Sequence, residues 1–99
     1  MRLADVTRFE SDGDYVAVYA GARRYLVYIN LGDLAKRLDP AAFFRIHRSH
    51  IISLSFLQSV APIDPSRVTI LLRDGTRISA SRSGTRTLRQ WMRKGRPAG

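Results

Sequence analysis

The sequence contains no cysteine, which excludes disulfides and thiolate zinc sites and fits a reducing, cytoplasmic setting. No apolar run approaches the ~18–20 residues of a bilayer-crossing helix, and the opening MRLADV lacks a signal-peptide core. A P-loop, a G-x-S-x-G elbow and a Rossmann glycine pattern are all missing. Acids are scarce: eight stand against seventeen basic residues, for a net charge of +9. Four of the eight (Asp5, Glu10, Asp12, Asp14) fall in the first fourteen residues, and after Asp74 there are seven basic residues and no acid. Lysine is nearly absent too, Lys36 and Lys94 being the only two. A GC-rich genome accounts for much of the arginine-to-lysine ratio, but not for the net charge or its polarity along the chain. Arginine's planar fork matches phosphate and the guanine edge in a way lysine cannot. The first expectation is a polyanionic partner, nucleic acid before membrane.

What is present is one domain's worth of short β-type runs, 99 residues with 44% apolar side chains. Val6–Phe9 and Tyr15–Tyr19 flank the turn formers Ser11 to Asp14, and Arg23–Ile29 follows a break at Gly21. Phe43–Ile46, Ile51–Leu54, Phe56–Val60 and Val68–Leu72 are further runs. Asp74-Gly75 predicts a hairpin between Arg67–Arg73 and Thr76–Ala80. Leu31, Leu34, Ala35 and Leu38 have helical spacing behind Asn30 as N-cap. A second helix is expected over Thr85–Arg93, with Leu88, Trp91 and Met92 on its apolar face and Arg86, Arg89 and Arg93 opposite. The reading is an all-β, multi-sheet domain over residues 1–94 with two short helices, and a frayed tail over residues 95–99.

Catalytic constellations are weak. His47 and His50 lie three apart in a strand-like run, which predicts opposite faces, and no acid or cysteine nearby supplies a third metal ligand. Asp12 and Asp14 are the one close acidic pair, and they sit in a turn. The expectation is no enzyme, no cofactor, no metal, no membrane association and no small-molecule substrate. The interleaved Phe43, Phe44, Arg45, His47 and Arg48 fit base stacking or core aromatics flanked by solvated charge, the latter being the better reading of the two Phe. The two expected helices are too far apart for a helix-turn-helix, so groove reading falls to loops or strand ends.

Phe44-Arg45-Ile46-His47-Arg48-Ser49-His50-Ile51-Ile52-Ser53-Leu54 resembles the F-x-R-x-H-R-S-Y-x-V-N-L signature of the LytTR domain, the DNA-binding half of LytR/AlgR-type bacterial response regulators. Val6 to Val18 resembles that family's opening I-x-Y-I-E-A-x-x-x-Y-V-x-V. Tyr25 to Leu38 resembles its strand and leucine-spaced helix, and Asp74-Gly75 with Ile78 to Ser83 its closing D-G-x-x-L-P-V-S-R. The resemblance covers nearly the whole chain in order. It implies an all-β domain that inserts loops into successive major grooves, commonly at paired direct repeats, and bends the duplex.

Carried over by motif position, Arg48 of the HRS run, Arg82 of the SR pair, and Asp14 or Tyr15 of the first hairpin turn are the base- or backbone-reading residues. Arg45, Arg86 and Arg89 are candidates for phosphate positioning. His47 and Ser49 are expected to aim the Arg48 loop, although a purely structural role for His47 fits as well. His50 replaces the family's usual Tyr and Ser53 its usual Asn. Members of the family usually carry one more strand at the N-terminus and a sensor or receiver before it. Without that strand, Leu3–Phe9 is expected to form an exposed edge that favours a homodimer or swap. Two other functions remain open: a protein-interaction module that has lost DNA binding, and single-strand binding on surface tyrosines.

Overall fold

Turn formers set the topology. Asp74-Gly75 reverses the chain with Gly75 at φ +91°, a left-handed conformation that suits glycine, while the Asp74 carboxylate accepts from the Thr76 N–H at 2.9 Å. The computed structural model describes residues 2–94; the tail expected over 95–99 lies outside the described residues. The elements are β1 (Val6–Asp12), β2 (Tyr15–Ala20), β3 (Arg23–Val27), α1 (Leu31–Arg37), β4 (Phe43–His47), β5 (His50–Ser53), β6 (Leu57–Asp64), β7 (Arg67–Leu72), β8 (Arg77–Ser79) and α2 (Arg82–Arg93). Asn30 caps α1 as its sequence position predicts, its side chain accepting from the Asp33 N–H at 2.7 Å. Neither helix is long and apolar enough to cross a membrane.

Two antiparallel sheets form, one in the order β3-β2-β1-β5-β4 and one in the order β6-β7-β8. The β4–β5 hairpin is covered on both faces. Phe43 and Ile51 join Val6, Phe9, Val16, Val18 and Leu31 in one core, closed by α1. Phe44, Ile46 and Ile52 join Ile70, Leu72 and Leu88 in the other, closed by the second sheet and α2. This double burial explains why Phe43 to Ile46 reads as a nearly continuous apolar run rather than an alternating one. Each such side chain contributes about 1.5–3 kcal/mol of transfer free energy. Pro62, which cannot donate to a ladder, sits in β6 at the edge of its sheet.

Three expectations are corrected. Val6–Phe9 is not an edge: β1 is the central strand of its sheet, with Arg8 opposite Tyr19 on one side and Ile52 on the other. Leu3–Asp5 is a 3₁₀ turn, so the edge-to-edge argument for a homodimer loses its premise. Helix α2 starts three residues earlier than expected because Ser81 is its N-cap, the hydroxyl accepting from the Gly84 N–H at 3.0 Å. Met92 does not share the docking face: it is exposed, whereas Gly84, Thr85 and Leu88 are buried and Trp91 packs on the core.

Candidate nucleic-acid interface

The HRS run forms the tip of the β4–β5 hairpin. His47 pairs with His50, leaving Arg48-Ser49 as a two-residue turn. This corrects the expected opposite placement of the histidines. The chain reverses between them, so they face each other across the hairpin with ring centroids 5.6 Å apart. The turn is held by groups from its own motif. His47 Nδ1 accepts from the Ser49 N–H at 3.1 Å, and the Arg45 guanidinium donates to the Arg48 carbonyl at 2.7 Å. The Ser49 carbonyl accepts from the Ser11 N–H of β1 at 3.0 Å. The backbone that carries Arg48 is therefore fixed at three points, while its side chain is exposed.

Arg82 lies in the first turn of α2 rather than in a loop. Its position is set through its neighbour: the Ser81 N–H and hydroxyl both donate to the Ile46 carbonyl, at 2.9 and 3.3 Å. Gly84 makes that seat possible, because a Cβ there would collide with the same carbonyl. On the next turn, buried Thr85 accepts from the Val68 N–H at 3.2 Å. The SR pair is thus anchored one residue from His47, and Arg45, His47, Arg48, Ser81 and Ser83 line one groove. The first turn of α2 holds no acid and has Arg82 at its positive end. That placement opposes the helix dipole, usually by about 0.3–1 kcal/mol, and suits an anionic partner.

The first hairpin turn reaches the same end of the sheet, because β1 lies beside β5 with Glu10 opposite His50. Asp14 is exposed at its tip. Asp12 is held by Arg24 at 2.6 Å, so its charge is partly balanced. Tyr15 is 45% exposed and meets Tyr28 edge-on, with centroids 5.6 Å apart. Tyr28 is 78% exposed, so it and Tyr15 meet the surface condition that single-strand stacking requires. Tyr19 is half-buried beneath Arg8, whose guanidinium lies 3.7 Å from the ring centroid.

Arg86 and Arg89 belong to a second group. With Arg82, Arg93, Ser66 and Thr85 they line a cleft along α2. Arg89 is tied down by donating to the Pro65 carbonyl at 2.9 Å, and Arg86 is exposed. The nearby Asp64 carboxylate is held down at about 2, first by hydrogen bonds from Ser66 and then by Arg67. Between the sheets, Arg8, Glu10, His47, His50 and Arg77 share a polar cleft that no local motif marks. Burial lowers the His50 pKa there, Arg8 and His47 add to the lowering, and Glu10 opposes it. No group of three or more metal-ligating side chains occurs among the described residues.

Comparison with known proteins gives a consistent answer. The LytTr DNA-binding domain family matches residues 1–93. The chain is 38% identical over 90 residues to the heme-containing CO-sensing transcriptional regulator RcoM 2 of Paraburkholderia xenovorans, covering 89% of this chain and 33% of that protein. It is 27% identical over 78 residues to the sensory transduction protein LytT of Bacillus anthracis, covering 79% and 32%. The chain thus spans about a third of the length of these relatives. Among solved structures, the LytTr DNA-binding domain of a methyl-accepting/DNA response regulator from Bacillus cereus shares its fold. The TM-score is 0.86 at 21% identity, over 93% of this chain and 84% of that one.

Proposed function

Because the chain belongs to the LytTr DNA-binding domain family, we propose that it binds duplex DNA sequence-specifically in transcription control, Arg48 and Arg82 reading bases in the major groove. The observation that carries this is the shared anchor of the two arginines. The turn holding Arg48 and the helix start holding Arg82 are both built on the end of β4, where Ser81 is bonded to Ile46. Each guanidinium can offer two parallel donors to guanine O6 and N7. The β1–β2 and β4–β5 turns are two strand spacings apart, roughly 10 Å, within the ~12 Å width of the groove. Asp14 and Tyr15 therefore reach the same stretch of duplex, Asp14 as an acceptor for cytosine N4.

Arg86 serves phosphate from the flank. Arg45 and Arg89, each bonded to a backbone carbonyl, act partly as braces. His47 and Ser49 hold the reading turn rather than touching bases. Targets are paired direct repeats, each half taking one copy, with no cofactor and no chemistry on the DNA, and the setting is the cytoplasm.

The test is competition between a target duplex and random duplex across roughly 50–200 mM salt, where phosphate contacts make affinity fall steeply. Specific binding that survives both Arg48→Ala and Arg82→Ala would falsify the assignment of readers. Absence of preference for any duplex would instead favour a protein-interaction module on the same fold.

A further inference from the structure

We propose that the groove between α1, β4 and α2 binds a small apolar organic anion, and that its occupancy loosens the Arg48 turn. The second half rests on the reading of DNA by Arg48; the first does not. The groove holds about 430 Å³, within the range of small-molecule sites. Its walls include Leu38, Phe43, Phe44 and Trp91, and two cations, Arg45 and Lys94, also line it. No carboxylate is among the described residues that line it. An uncharged occupant would take water from both cations without replacing it, and a cationic one would be repelled. An apolar body with a single carboxylate satisfies walls and cations together.

Arg45 links this groove to the DNA end of the domain. It lines both the apolar groove and the groove of Arg48, and its guanidinium donates at 2.7 Å to the Arg48 carbonyl. A carboxylate accepts from guanidinium more strongly than a neutral carbonyl does. A bound acid therefore draws Arg45 away from the turn and leaves that carbonyl unheld. Reciprocity requires that target DNA weaken the acid by the same factor.

The probe is octanoate, compared with its uncharged counterpart octanamide, and the reporter is Trp91, the chain's single tryptophan. Octanoate is expected to give a saturable change in Trp91 emission, with octanamide about tenfold weaker or more. Lys94→Gln should narrow that gap. An equal response to both compounds, or none that saturates, overturns the site. At saturating octanoate, affinity for a target duplex should fall about fivefold or more; unchanged affinity overturns the coupling. If Arg48 does not read DNA, Arg48→Ala binds its target normally while the Trp91 response persists, so the two failures are told apart.

Discussion

The hairpin tip that carries Arg48 and the outer flank of α2 that carries Arg86 present the same side chain on different supports. At the tip, the backbone is held by His47, by Arg45 and by β1, and Arg48 is left facing solvent. On the flank, Arg86 stands on one exposed helix face among other arginines, of which Arg89 is tied to a neighbouring turn. A base edge offers two acceptors in a fixed geometry, so a reader needs a fixed base of its own. A phosphate accepts from many directions, so a flexible arginine serves it as well. On the proposed function, mechanical backing rather than residue type separates the two roles.

The largest effect is expected where the backing itself is attacked. Gly84→Ala pushes α2 off the Ile46 carbonyl and should cost about 1–3 kcal/mol of stability, read as a lowered denaturation midpoint. A stability equal to or above that of the parent would show that the close approach does not hold α2. Next, His47→Ala frees the Ser49 N–H and should lower the preference for target over random duplex while leaving the salt slope unchanged. Equal losses on both duplexes would place His47 on phosphate instead. Arg86→Ala is expected to weaken binding to all sequences alike and reduce the salt slope by about one.

The smallest effect is a pH dependence. The folded-state pKa of His50 lies below its ordinary 6.5 because burial disfavours the charged form. Its neutral state is thus favoured in the fold, and the stability this brings is present above about 6.5. That stability is lost as pH falls through 6.5 and on through the lower folded value. His50→Gln should flatten the loss between pH 8 and 5 in melting experiments; an unchanged slope would assign it to other groups.

Strands and caps were legible because their signals are local. Asn30 capped its helix and Asp74-Gly75 turned its hairpin where their chemistry placed them. The β4–β5 turn was legible only through the family resemblance, which implied a loop at Arg48; Arg48-Ser49 contains no glycine, asparagine or aspartate, so the residues alone read as a strand-like run. That is why the histidines were expected on opposite faces. The start of α2 was hidden by Ser83 and Gly84, poor helix formers kept by a cap and a close contact. The central position of β1 depends on pairing with β5, some forty residues away, which no local periodicity records. The motif arginines were legible as a pattern, but that β4 both carries the Arg48 turn and seats Ser81 on the Ile46 carbonyl was visible only once the chain was folded.

The most direct test of the account measures Arg48→Ala and the parent against a target duplex and its single base-pair variants at one salt concentration. Arg48→Ala should lose about 1–3 kcal/mol of discrimination at one base pair, with the rest of the specificity profile retained. A uniform loss at every position, or none at all, would contradict it.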